Sequence, residues 1–242
     1  MPAYFASDVH LRFDRPERAR RFAAWVDRLD ESDMLTIVGD LCDFRFAARR
    51  SRRDPLECSA LAALLAFQRR GGSMTILAGN HDAQLGGFYR NVLGAGFVAD
   101  SLDLAIDGLR IRAVHGHRLG WRKPWKAAME GRTFLELFRM LPDTVADRLE
   151  ARLERSNERG LAECERLYLE SYQAYAESIG GEADVLVLGH IHKPIDRATG
   201  GARMIVLGGW HDRSSYLRVD AQGARLCIIE DVADAPEARS GG

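Results

Sequence analysis

The stretch AYFASDVH, residues 3–10, joins a short apolar run to an aspartate and a histidine two positions apart. In an extended segment, side chains at i and i+2 share a face. Asp8 and His10 therefore project together from the end of a first strand over 3–7. The same construction recurs along the chain. MLTIV (34–38) runs into GDLCD (39–43), MTILA (74–78) into GNHD (79–82) and VLVL (185–188) into GHIH (189–192). MIVL (204–207) precedes GGWH (208–211), and HGH stands at 115–117.

Helical patterns separate the first three runs: Pro16–Leu29, with proline at N1, and Leu56–Arg70, closed by Gly71-Gly72. Strand and helix in alternation predict an α/β fold with a largely parallel sheet. Segments 101–107 and 109–114 read as a hairpin about Asp107-Gly108, and 215–219 with 225–229 as another about Gln222-Gly223. Residues 121–180 hold strong helix formers and charges of both signs. They are expected to form a helical insertion between core segments 1–120 and 181–230, while the polar tail 231–242 is expected to be disordered.

With 46% hydrophobic and 29% charged residues, the 242-residue chain has the composition of a soluble globular protein. A net charge of −1 creates no global field for nucleic acid, so an anion site must be local. Four cysteines without a CxxC pair argue against a zinc-thiolate site and a disulfide framework, and suit a reducing cytosol. The N-terminus lacks a signal-peptide pattern, and the longest apolar run, Ala60–Phe67, falls far short of the ~20 residues that span a bilayer. A soluble cytoplasmic protein is expected.

All seven histidines sit at or just after the end of a β-like run, beside Asp, Asn or Gly. Parallel strands place their carboxyl ends at one edge, where α/β proteins build sites. The pooled donors are nitrogen and oxygen with no sulfur. Such a set suits Mn²⁺, Fe or Zn²⁺ and differs from the all-oxygen set of Ca²⁺.

In order and spacing, SDVH, GDLCD, GNHD, HGH and GHIH resemble the five-block signature of the calcineurin-like metallophosphoesterases, across residues 7–192. The resemblance implies a β-sandwich flanked by helices (αββα) and two divalent cations, with Mn²⁺ the first candidate. Asp8, His10, Asp40 and His192 would hold one cation, and Asp40, Asn80, His115 and His190 the other, with Asp40 bridging. Two cations ~3.5–4 Å apart can supply a nucleophile and clamp a phosphoryl oxygen. His81 is implied near the leaving group, with Asp43 orienting its imidazole.

Three segments carry the resemblance further, to the UDP-2,3-diacylglucosamine pyrophosphatase branch of lipid A biosynthesis: VLGGWHDRSSYLRV (206–219), KPW (123–125) and FLELFRMLPDTVADRLEARLERSN (134–157). This implies cleavage to UMP and 2,3-diacylglucosamine 1-phosphate, a lipid-linked nucleotide sugar as partner, and peripheral contact with the inner face of the cytoplasmic membrane. Nucleic acid is not an expected partner. Phe134, Leu135, Leu137, Phe138, Met140 and Leu141 form an apolar patch beside Arg132, Arg139, Arg148, Arg152 and Arg155. Such a patch suits a lipid with an anionic head; the alternative is an ordinary helical hairpin packed on the core. The run Arg45, Arg49, Arg50, Arg52, Arg53 reads either as a solvated loop or as a phosphate or membrane contact. That branch typically carries GNRD and HGD where this chain has GNHD and HGH. The alternative substrate is therefore another lipid-linked or soluble nucleotide diphosphate.

Overall fold

The computed structural model describes residues 1–43, 46, 54–120, 137, 138, 140, 141, 145, 148, 161–211 and 214–229; side chains of 161–164 are left aside. The first sheet has the order β11-β10-β1-β2-β3-β4, formed by β1 (Ala3–Ala6), β2 (Met34–Val38), β3 (Ser73–Leu77), β4 (Gly96–Val98), β10 (Ser214–Asp220) and β11 (Gly223–Ile229). β1 to β4 run parallel, and β10 returns antiparallel against β1. The second sheet, β5-β6-β7-β9-β8, comprises β5 (Ser101–Ile106), β6 (Leu109–Val114), β7 (Val185–Leu188), β8 (Ile195–Arg197) and β9 (Arg203–Val206).

Period-2 burial explains the layers. Ala3 and Phe5 of β1 face Val185 and Val187 of β7 and Ile205 of β9, filling the space between the sheets. Tyr4 and Ala6 turn outward, against Phe22 and Trp25 of α1 (Pro16–Val26) and Leu61, Leu64 and Phe67 of α2 (Ser59–Arg70). On the far side, Leu186, Leu188, Met204 and Val206 pack against Tyr172 and Ala176 of α4 (Leu161–Ser178). Helix, sheet, sheet, helix is the expected αββα arrangement.

Local chemistry sets the boundaries. Pro16 opens α1 with its φ already helical. α2 stops where Gly71 takes φ 112°, a left-handed conformation that a Cβ would oppose. Asp107 and Gly108, at φ 47° and 89°, make the expected two-residue hairpin turn. The sequence pattern groups 161–178 with the insertion, yet Tyr172 and Ala176 of this helix belong to the core of the second sheet. Arg132, Phe134, Arg152, KPW, the arginines of 45–53 and the tail 231–242 lie outside the described residues. Among the described residues, no helix is long and apolar enough to cross a membrane.

Candidate metal centre

Every block of the sequence signature emerges where a strand ends. Asp8 and His10 follow β1, Asp40 follows β2, Asn80 and His81 follow β3, His115 follows β6, and His190 and His192 follow β7. The backbone there is strained. Asp8, His10, Asp40, His190 and His192 have φ of 54°, 48°, 52°, 74° and 58°. Asp107 is the sixth such non-glycine among the described residues. Left-handed backbone costs on the order of 1–3 kcal/mol per residue and persists where the surroundings impose it. Concentration of that strain at five histidines and aspartates marks the strand ends as a site.

The side chains converge in three groups, Asp8/His10/His192, His10/Asp40/His81 and Asp40/His115/His190, each with its ligand atoms within 4.8 Å of one another. Asp8 Oδ2 accepts hydrogen bonds from Ser7 Oγ (2.6 Å) and His190 N (2.8 Å). Its Oδ1 is thereby turned toward His192 Nε2, 3.2 Å away. Asp40 is fixed in the same way: His81 N donates to Oδ1 at 2.9 Å, and Oδ2 lies 3.3 Å from His115 Nε2 and 3.8 Å from His10 Nε2. Asn80 Oδ1 is 3.2 Å from His115 Nε2, while His115 Nδ1 faces the Val38 carbonyl at 2.8 Å. All seven ligands expected from the sequence are therefore gathered, four of them (Asp8, His10, Asp40 and His115) buried.

The donors fit cations. Asp8 Oδ1 is buried without a hydrogen-bond partner, and the Nε2 atoms of His10 and His192 stand 3.1 Å apart. Two imidazole nitrogens and a carboxylate oxygen at such spacing are satisfied together by one positive ion. Burial alone would raise the pKa of both carboxyls, but His192 beside Asp8 and His115 beside Asp40 hold them well below the usual range. Burial opposes a charge on His115, yet Asp40 carries it up to about 10. Burial, then His81, pushes His10 down, and burial, then His115, pushes His190 down. A cation on the Asp40–His115 side must therefore displace a proton, which makes loading pH-dependent.

Close backbone approach makes this packing possible. A Cβ on Gly79 would sit 1.9 Å from Asp40 Oδ1 and 2.3 Å from Asp40 N. Gly79→Ala should displace the carboxylate and lower turnover of a soluble diester on the order of 10²-fold, the scale of a 1 Å misplacement. A steady-state assay on bis(p-nitrophenyl) phosphate checks this.

His81 stands at the rim, its side chain 35% exposed, Nε2 4.0 Å from Asp40 Oδ2 and its ring edge-on to His10. Asp43 does not orient it through Nδ1, which is buried without a hydrogen-bond partner. Instead, Asp43 Oδ2 lies 3.9 Å from His10 Nδ1. The cause is the backbone: the chain after β2 runs beside the chain after β1, with a Leu11–Cys42 bridge and Asp43 N donating to Leu11 O at 3.1 Å.

Of the apolar insertion residues, Leu137 and Met140 are exposed (61% and 81%), Leu141 is half-buried, and Phe138 is buried at 3%. Phe138 therefore faces inward, while Leu137 and Met140, with Val145 further on, are exposed among the described residues. Residues not assigned from the sequence also reach the centre. His117 is buried with its ring 5.3 Å from that of His115, Tyr168 of α4 meets His190 edge-on at 4.8 Å, and His211 meets His192 at 5.0 Å. Asp82 is buried beneath the ligands, and burial, followed by the charge of Asp40, pushes its carboxyl up to about 6. The HGH and GGWH blocks carried a signal for His117 and His211; Tyr168 carried none.

A UDP-2,3-diacylglucosamine hydrolase of Hahella chejuensis is 25% identical over 96% of this chain and 100% of its own. One of Pseudomonas putida is 28% identical over 91% of this chain and 95% of its own. A solved archaeal phosphodiesterase has a TM-score of 0.48 and 14% identity, covering 95% of this chain and 100% of that one. The profile of the calcineurin-like phosphoesterases matches residues 1–194, so the chain that places these aspartates and histidines at its strand ends belongs to the calcineurin-like phosphoesterase family.

Proposed function

We propose that this metal-dependent phosphoester hydrolase cleaves the pyrophosphate of UDP-2,3-diacylglucosamine, releasing UMP and 2,3-diacylglucosamine 1-phosphate. The observation that carries the reading is the gathering of His and Asp donors at the strand ends, in a chain similar over nearly its whole length to hydrolases of that name. Asp8, His10, Asp40 and His192 would hold one cation, and Asp40, Asn80, His115 and His190 the second. Mn²⁺ suits these donors, with Fe and Zn²⁺ as alternatives. When bound, such a pair supplies Lewis-acid stabilisation of the phosphoryl group and an activated water at neutral pH.

The chain's own residues do the rest. The buried Asp40 carboxylate keeps the two halves of the ligand set at a fixed separation through its His81 N–H bond. His81, partly open to solvent, is the group placed to pass a proton to the departing oxygen or to steady its charge. We assign the exposed Leu137 and Met140 to the acyl chains, with the enzyme working in the cytoplasm against the inner face of the cytoplasmic membrane. Phe134 and Leu141 extend the apolar patch in sequence, and Arg132 and Arg152 supply its cations.

A variant carrying Leu137→Glu and Met140→Glu tests this. Each buried CH₂ contributes ~0.8 kcal/mol, so losing two or three such contacts should raise KM for the lipid substrate on the order of 10–50-fold. Cleavage of bis(p-nitrophenyl) phosphate should be unchanged, because its chemistry sits on the strand ends. Equal losses on both substrates in a folded variant would assign these side chains to the fold. A second reading, hydrolysis of another lipid-linked or soluble nucleotide diphosphate, is favoured by His81 standing where the lipid A branch has arginine. Wild-type protein that cleaves the soluble diester and leaves the lipid nucleotide intact would select it.

A further inference from the structure

Beneath the cation ligands lies a carboxylate that the proposed chemistry does not use. Asp82 closes the GNHD block, is fully buried, and accepts three hydrogen bonds. Gly79 N donates to Oδ1 at 3.0 Å; Cys42 N at 3.2 Å and the Tyr89 hydroxyl at 2.7 Å donate to Oδ2. The donors come from the turn after β3, the turn after β2, and α3 (Gly86–Leu93). Tyr89 is itself fully buried. Holding a carboxylate away from water is costly unless every lone pair finds a donor. Two of the three donors here are backbone N–H groups of the turns that carry Asp40 and Asn80, and the third is the Tyr89 hydroxyl.

Those turns meet at Asp40. Gly79 precedes Asn80 and approaches Asp40 too closely to carry a Cβ. Cys42 lies two residues beyond Asp40, and His81 N bonds Asp40 Oδ1. Asp40 and Asn80 both belong to the cation site shared with His115 and His190. The other site has a support that does not pass through Asp82: Ser7 Oγ and His190 N donate to Asp8 Oδ2 at 2.6 and 2.8 Å. We propose that Asp82, braced by Tyr89, is a positioning residue that locks the β2 and β3 turns together and sets the affinity of the Asn80 side of the centre for its cation. The inference rests on the two-cation reading.

Asparagine offers one acceptor oxygen and turns an NH₂ toward a backbone N–H, so it cannot serve all three donors. The test uses Mn²⁺ alone, with equilibrium dialysis and electron paramagnetic resonance on wild type, Asp82→Asn and Tyr89→Phe. Wild type binding fewer than two Mn²⁺ would overturn the two-cation reading itself, and this inference with it. With two bound in wild type, Asp82→Asn should keep its tighter ion within about threefold and hold the other ~10–100-fold more weakly, the range for lost support of a ligand. At one equivalent its spectrum should be that of a single ion. Raising Mn²⁺ should restore its turnover of bis(p-nitrophenyl) phosphate, which a merely structural defect would not allow. Tyr89→Phe, which keeps the ring in the core, should weaken the same ion by roughly three- to tenfold and decides the matter if Asp82→Asn does not fold. Wild-type affinity for both ions, or equal weakening of both, would overturn the proposal whatever the melting temperature does.

Discussion

Asp40→Ala should abolish hydrolysis and leave the purified protein with at most one cation per chain. The carboxylate is fully enclosed, and its Oδ2 faces His115 at 3.3 Å, His10 at 3.8 Å and His81 at 4.0 Å. Removing it leaves His115 and His81 without the carboxylate they face, while His10 keeps Asp8 Oδ1 at 3.8 Å and Asp43 Oδ2 at 3.9 Å. Breaking a buried charged set by deleting one partner costs ~3–5 kcal/mol, so the variant should also melt earlier. Asp40→Asn separates the two effects: it keeps the shape, loses the charge, and should retain most of the stability while still losing a cation. Elemental analysis with a parallel melting curve reads both. Full activity in protein holding a single metal would sink the bridging role.

His81→Ala should lower turnover by roughly 10²–10⁴, the range for losing a positioned proton donor, with metal content unchanged. Its openness and its place in the His10/Asp40/His81 group allow two outcomes, and metal content separates them. Loss of a cation in His81→Ala would make this histidine a ligand. His81→Arg is the sharper variant, because it installs the residue typical of the lipid A branch. If activity on the lipid nucleotide exists only in that variant, the chain's own substrate is a different phosphoester.

The gathering of Asp8, His10, Asp40, Asn80, His115, His190 and His192 was legible because each follows a strongly apolar strand, and a run such as VLVL before GHIH leaves little choice of state. β4 and β8 were not legible: each has three residues, lies at a sheet edge and is held on one side only. α3 begins with Gly86-Gly87, so local propensity argues against a helix, and the burial of Phe88, Tyr89 and Leu93 overrides it. In α4, Tyr172 and Ala176 at i and i+4 already carried the stripe that packs on the second sheet, beneath a surface of mixed charge. Loop contacts were beyond reach. The spacing of GDLCD names Asp43 but cannot say whether it meets His10 or His81. Likewise the last residue of GNHD gives no sign that three donors from separate segments close on Asp82.

The most direct measurement is hydrolysis of UDP-2,3-diacylglucosamine by the Mn²⁺-loaded wild-type protein in ¹⁸O-enriched water, with the products weighed by mass spectrometry. Attack at the α-phosphate predicts UMP carrying one ¹⁸O and 2,3-diacylglucosamine 1-phosphate carrying none. An intact lipid nucleotide, under conditions where the same protein cleaves bis(p-nitrophenyl) phosphate, or label in the sugar phosphate in place of UMP, would contradict it.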